Sequence, residues 1–206
     1  MSRSDGKILL ASRNPKKLAE LRRIIGPALP NVDVLGLDDV EAYDETPETG
    51  STFAENALAK AREGFAHSGL GTIADDSGIA VDALNAMPGV LSARWAGQHG
   101  DDEANLRLVL AQLGDTPDER LGAAFVCAAA FVGSGGETVI EGRMLGRLIR
   151  EPRGANGFGY DPIFVADGFE LTNGELAPEQ KDAISHRGKA LRALAEYLAK
   201  TEGDTL

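Results

Sequence analysis

An apolar run, Ile8 to Ala11, passes directly into Ser12-Arg13-Asn14-Pro15-Lys16-Lys17 and then into apolar positions at helical spacing, Leu18, Leu21, Ile24 and Ile25. This order constrains the fold early: a strand must feed a tight loop and a helix N-terminus, with the helix ending before Gly26-Pro27. Asn14 suits the N-cap and Pro15 the first helical position. A helix start of this kind presents unpaired backbone N–H groups and the positive end of the helix dipole, where anions settle. Lys16 and Lys17 are an unusual choice there, because the dipole favours acids in a first turn, so they call for an offsetting anion. The alternative is a surface turn with two solvated lysines. No glycine-rich phosphate loop of the G-x-x-x-x-G-K type is present.

A second polar group interrupts an apolar run at Thr72-Ile73-Ala74-Asp75-Asp76-Ser77-Gly78. It reads as a strand that stops at a carboxylate pair. Adjacent strand residues point to opposite faces, so Asp75 and Asp76 are expected to have different jobs. One could hold Mg²⁺ or act as general base on water, while the other orients or caps backbone. The competing reading is an Asx-type turn capped by both side chains.

At 206 residues the chain can bury one substantial core, and a single folding unit over residues 1–206 with room for two lobes is expected. The ends, Met1 to Gly6 and Thr201 to Leu206, are expected to fray. A formal net charge of −11 repels polyanions, which argues against nucleic acid as a partner. Any phosphate it handles should belong to a small ligand held by local cations and a metal. Cys127, the only cysteine, lies in the apolar run Ala123 to Val132 and reads as an inert core thiol. No signal peptide, transit peptide or membrane-spanning run is readable, so the expected location is the cytoplasm, away from membranes.

Between these groups, Val32 to Leu35 reads as a strand, followed by an acidic stretch, Asp38 to Glu48. That stretch is either a solvated loop or a source of carboxylates for a metal. Thr52-Phe53-Ala54-Glu55 is a capping-box signature opening a helix with an apolar stripe of Phe53, Ala57, Ala61 and Phe65. Asn56 and Lys60 share another face, as solvated decoration or as a phosphate-binding pair. After the aspartates, Ile79 to Leu84 continues an apolar pattern and Met87-Pro88-Gly89 breaks it. Trp95 reads as a half-buried anchor rather than a stacking platform. Leu106, Val109, Leu110 and Leu113 define an amphipathic helix, and Ala123 to Val132 with Glu137 to Glu141 form a hairpin around Gly133-Ser134-Gly135-Gly136. Strands alternating with helices early and a hairpin later indicate α/β or α+β with a mixed sheet.

The last third carries Pro152-Arg153-Gly154-Ala155-Asn156-Gly157-Phe158-Gly159-Tyr160-Asp161-Pro162. Its glycines allow close backbone approach to a ligand and its aromatics can stack on a planar base, unless the segment is simply a loop. Lys181 and Ser185 stand four apart on a short helix, with His186 and Arg187 at its end, where a histidine is ordinarily a C-cap.

Five of these segments, in order, resemble the inosine triphosphate pyrophosphatases that clear non-standard purine nucleotides. They are Ala11 to Lys17, Glu48-Thr49-Gly50-Ser51-Thr52-Phe53-Ala54-Glu55-Asn56-Ala57, Ala74 to Gly78, Gly157 to Pro162 and Ser185-His186-Arg187-Gly188. The resemblance covers Leu10 to Leu191. It implies a two-lobed α/β protein with a long mixed β-sheet flanked by helices, a cleft between the lobes and a homodimer. It also implies Mg²⁺-dependent hydrolysis of ITP, dITP or XTP to the monophosphate and pyrophosphate. Carried over, Asp76 is the general base and a Mg²⁺ ligand, Glu48 is a second metal carboxylate with Glu41 and Glu45 as competitors, and Ser12, Arg13, Asn14, Pro15, Lys16 and Lys17 meet the triphosphate. Ser77, Phe158, Gly159, Tyr160, Asp161, Lys181, His186 and Arg187 fall on the nucleotide, with Asn56 and Lys60 as further cleft residues. One departure is Ala177, where relatives often place a hydroxyl residue before the Pro-x-x-Lys helix.

Overall fold

In the computed structural model, which describes residues 6–44 and 47–201 apart from the side chains of Lys16 and Thr201, the opening strand β1 (Gly6–Leu10) runs into helix α1 (Pro15–Ile25). Asn14 caps α1 as the sequence indicates, accepting the Lys17 N–H on Oδ1 at 3.4 Å. The expectations for residues 1–5, Glu45, residues 202–206 and the Lys16 side chain lie outside the described residues. Gly6 already belongs to β1 and Thr201 to the last helix, so the ordered chain reaches into both stretches expected to fray.

The remaining elements are β2 (Val32–Leu35), α2 (Phe53–Ser68), β3 (Gly71–Val81), β4 (Met87–Pro88), α3 (Asp102–Gln112), β5 (Gly122–Gly133), β6 (Gly136–Leu148), β7 (Phe164–Ala166), α4 (Pro178–Ile184) and α5 (His186–Thr201). The fold is α/β. Its seven-stranded sheet has the order β2-β1-β3-β5-β6-β7, with β4 added to β3. The sheet is mixed: β1 pairs parallel with β2 and β3, whereas β4 and β7 pair antiparallel with β3 and β6.

The chain divides into two compact units. The first holds residues 1–76, 128–142 and 187–206. Its interior includes Ile8, Leu9, Leu10, Leu21, Ile25, Ala57, Ala61, Ile73, Leu194 and Leu198, all fully or almost fully buried. The apolar stripe of α2 is buried at Phe53, Ala57 and Ala61 and only half-buried at Phe65. The second unit holds residues 77–127 and 143–186. Its core gathers Ile79, Val81, Leu106, Val109, Leu113, Phe125, Met144, Leu148, Tyr160, Ile163 and Phe164, with Trp95 packed on the margin as an anchor. The Trp95 indole N–H donates to Gln112 Oε1 at 2.8 Å. Among the described residues, no helix is long and apolar enough to cross a membrane.

One expectation fails at the centre of the sheet. β3 does not stop at the aspartates but runs through Asp75, Asp76, Ser77 and Gly78 as continuous strand, which excludes the Asx-type turn. The apolar pattern then ends earlier than Leu84, since residues 82–84 form a short 3₁₀ turn. Gly78 keeps the strand close to Ser92, whose hydroxyl accepts the Ile79 N–H at 2.9 Å and donates to Gly89 O at 2.6 Å. A Cβ at Gly78 would overlap Ser92 Oγ and stand 2.6 Å from Gly89 O. Gly78→Ala is therefore expected to destabilise the protein by about 1–3 kcal/mol through overpacking. Thermal unfolding should show a melting temperature lower by several degrees; an unchanged value would contradict the packing described.

Candidate active site

Because β3 continues through the carboxylate pair, the two side chains leave on opposite faces, and each meets a different set of partners. Asp75 is 4% exposed and receives Lys17 Nζ on both oxygens at 2.9 and 2.8 Å and Arg187 Nε on Oδ2 at 3.1 Å. Burial opposes its ionisation, but Lys17 and Arg187 together outweigh burial and hold the carboxyl well below the usual range. Asp75 is thus the anion that the basic first turn of α1 calls for. The first turn of α1 contains no acid of its own.

Asp76 is held differently. Asn56 Nδ2 donates to Asp76 Oδ2 at 2.9 Å, and Lys60 Nζ lies 3.7 Å from Oδ1. Burial raises the Asp76 pKa and outweighs Lys60 and the Asn56 bond, with Glu48 adding to the rise, so this carboxyl is more basic than an ordinary aspartate. Lys60 bonds Glu48 Oε1 at 2.7 Å. Burial pulls the Lys60 pKa down, but Asp76 and Glu48 outweigh it and keep the ammonium charged. Asn56, rather than decorating the surface, is 2% exposed, and its Oδ1 accepts the Gly50 N–H at 2.7 Å. α2 is started by Thr52 Oγ1 accepting the Glu55 N–H, while the Glu55 carboxylate reaches chiefly to Ser51. That capping sets the turn from which Asn56 and Lys60 project.

Among the acidic candidates, Glu48 is brought to Asp76 through Lys60, whereas Glu41 is exposed. Among the described residues, no group of three or more His, Cys, Asp or Glu side chains gathers in metal-binding proximity. Two carboxylates around one ammonium nevertheless suit a hard divalent cation whose remaining ligands are water and substrate oxygens.

At the start of α1, Ser12 Oγ accepts the Asn14 N–H at 3.2 Å, Arg13, Asn14 and Pro15 are exposed, and Lys17 is committed to Asp75. Arg187 bonds Asp75 and lies 3.7 Å from Glu20 through Nη1, so its guanidinium serves carboxylates of the first unit. His186 opens α5 rather than capping α4, a position taken by Ser185. Its ring stacks on Phe125 with centroids 5.0 Å apart. Ser77 is partly buried on β3.

In the second unit the segment around Phe158 is a loop built on one buried ion pair. Asp161, 3% exposed, binds Lys181 Nζ, accepts the Phe158 N–H on Oδ2 at 2.8 Å and the Asn173 amide on Oδ1 at 3.2 Å. Gly157 has φ +77°, and a Cβ there would meet Asp161 and Lys181, so only glycine lets the loop close over the pair. The two aromatics part company. Tyr160 is 4% exposed with its hydroxyl donating to Ser92 O at 2.8 Å, a core anchor without a free ring face. Phe158 is 64% exposed, with the Lys181 ammonium 5.3 Å from its ring centroid. Ala177 is the N-cap of α4 with no side-chain cap, and Gln180 Oε1 accepts its N–H instead.

Comparison with known proteins places this geometry in a family. A model described as the Ham1 family matches residues 8–197, and the chain belongs to that family. It is 63% identical over 195 residues to a protein of Nocardia farcinica named dITP/XTP pyrophosphatase, covering 94% of this chain and 95% of that one. Among solved structures, a Mycobacterium abscessus protein described as a nucleoside-triphosphatase / dITP/XTP pyrophosphatase matches with a TM-score of 0.80 at 63% identity, covering 91% of this chain and 98% of that one. The Staphylococcus aureus Ham1 protein matches with a TM-score of 0.87 at 37% identity, covering 95% and 99%.

The sign of the Asp75 shift yields a stability test. Its folded pKa lies below the unfolded value of about 3.9, so its ion pairs stabilise fully above that pH and fade as pH falls towards the folded pKa. Lys17→Met leaves Arg187 as the cation bonded to Asp75 and is expected to cost about 3 kcal/mol at neutral pH. The gap in melting temperature between wild type and variant should be wide at neutral pH and narrow below about pH 4. A gap independent of pH would contradict the assignment.

Proposed function

We propose that this chain hydrolyses non-standard purine nucleoside triphosphates, dITP, ITP and XTP, to the monophosphate and pyrophosphate with Mg²⁺. The observation that carries the reading is the asymmetry of the two adjacent aspartates: one is locked as an anion by Lys17 and Arg187, while burial leaves the other, bonded to Asn56 and near Lys60, more basic than an ordinary aspartate. A pair of carboxylates driven apart in pKa is how one site separates a structural role from proton transfer. The names borne by the Nocardia and Mycobacterium relatives support the same substrate class.

In this reading Asp76 accepts the proton of the attacking water, with Asn56 fixing Oδ2 so that Oδ1 faces the reaction. Asp76 and Glu48 are the oxygen donors for Mg²⁺. Bound there, the ion would neutralise phosphate charge and favour ionisation of water. Lys60 steadies both carboxylates and supplies positive charge as negative charge develops on the phosphates. Ser12, Asn14 and the N–H groups that open α1 meet the triphosphate, joined by Lys17 once phosphate competes with Asp75 for its ammonium.

Base recognition is assigned to the second unit's Phe158, Lys181 and His186. The exposed Phe158 ring offers a face to a purine. A site that donates to a 6-oxo group leaves its donors facing an amino group when adenine enters, which can reject the analogue by up to about 10⁴-fold.

Assays with a panel of purine triphosphates, scoring pyrophosphate and orthophosphate separately, test the reading. Pyrophosphate should be the product, and kcat/KM for dITP and XTP should exceed that for ATP by at least about 10²-fold. Asp76→Asn should lose about 10²-fold or more in kcat while keeping the fold, read as an unchanged circular-dichroism spectrum. Orthophosphate as product, equal rates on ITP and ATP, or a fully active Asp76→Asn would each contradict it.

A further inference from the structure

Phe158 stands on a loop, yet both peptide units that carry its side chain are fixed. The Phe158 N–H, before its Cα, donates to Asp161 Oδ2 at 2.8 Å, and the Gly159 N–H, after its Cα, donates to Asp102 Oδ2 at 2.8 Å. Asp161 is local to the loop, three residues away. Asp102 comes from the first turn of α3, fifty-seven residues away in sequence. α3 does not need Asp102 as its cap, because Asp101 already accepts the Ala104 N–H at 3.0 Å. The Asp102 carboxylate is therefore available for the loop. Between α3 and the loop lies a cavity of about 620 Å³, bounded by Leu106 and Leu110 on one side and Pro152, Ala155 and Phe158 on the other. Asp102 and Gly159, joined by their hydrogen bond, both line this space.

From this arrangement we infer that Asp102 is a positioning residue for nucleobase binding: by holding the Gly159 N–H it fixes the pose in which the Phe158 ring is offered to the purine. The inference rests on the base-recognition reading given above. With both flanking amides restrained, the backbone torsions of Phe158 are set before a ligand arrives, and a residue whose backbone need not be ordered on binding gains affinity. Gly159, at φ +60°, has a backbone conformation that would otherwise be held only weakly by its own sequence. Asp161, itself paired with Lys181, holds the amide before the Phe158 Cα, and Asp102 holds the amide after it.

A double-mutant cycle read by calorimetry with an α,β-imido analogue of dITP, and by steady-state turnover of dITP, tests this. Asp102→Ala should raise Kd and KM about fivefold with kcat changed by less than about twofold, because the bond is exposed and acts on binding rather than on Asp76. Asp102→Asn keeps an acceptor oxygen and should recover most of the loss. In a Phe158→Ala background, Asp102→Ala should change Kd by less than about twofold, since the ring through which it acts is gone. Penalties that add in the double variant, or wild-type affinity in Asp102→Ala, would overturn the proposal, as would a loss confined to kcat and melting temperature. If the wild type binds the analogue without hydrolysing dITP, hydrolysis is refuted and the Kd cycle still decides the role of Asp102. If it does not bind the analogue, both readings fall.

Discussion

Two consecutive buried carboxylates on one strand of the first unit are the constraint around which that unit is arranged. An ionised carboxylate away from water costs several kcal/mol unless it is paired and hydrogen-bonded, and β3 carries two in adjacent positions. Alternation sends them to opposite faces, so one partner cannot serve both. Asp75 takes its cations from the first turns of two helices, Lys17 of α1 and Arg187 of α5. Those basic first turns oppose the helix dipole and are compensated by the same carboxylate. Asp76 takes its partners from a third helix, α2. Three helices are thereby registered on one strand through four side chains.

The same arrangement separates roles. With Asp75 satisfied by two strong partners, its charge is a fixed part of the structure, and it holds Lys17 and Arg187 in place. Asp76 accepts a hydrogen bond from the neutral Asn56 amide and lies 3.7 Å from the Lys60 ammonium, which also bonds Glu48. It is left basic, which is the property required of a group that takes a proton from water. The second unit shows a parallel economy of means: one buried pair, Asp161 with Lys181, holds the loop while leaving the Phe158 ring outside.

Local signals in the sequence were sound wherever the structure is decided locally. The Asn14 and Thr52 caps, the hairpin turn at Ser134-Gly135, the burial of Cys127 and the half-buried Trp95 all follow from neighbouring residues. The stop expected at Asp75 was a local inference that lost to distant partners. Lys17 is fifty-eight residues away and Arg187 one hundred and twelve, so the cations that offset the burial of Asp75 lie outside any local window. The partners of Arg187, Asp75 and Glu20, are invisible from its own segment, which shows only a cation at a helix start. Tyr160 and Phe158 look alike in sequence, and only the core around Ser92 distinguishes an anchor from an exposed ring. Asp102 gave no signal, being one of two acids where a helix start expects acids.

The central claim, that adjacent aspartates on β3 have been driven to opposite electrostatic fates, is open to direct measurement. Carbon-13 NMR titration of the side-chain carboxyls in metal-free protein, assigned with Asp75→Asn and Asp76→Asn, reads both groups in one experiment. The account predicts that Asp75 stays ionised down to the acid limit of the folded state, while Asp76 titrates above the ordinary aspartate value of about 3.9. Two carboxyls titrating together near that value, or Asp75 titrating above Asp76, would contradict it.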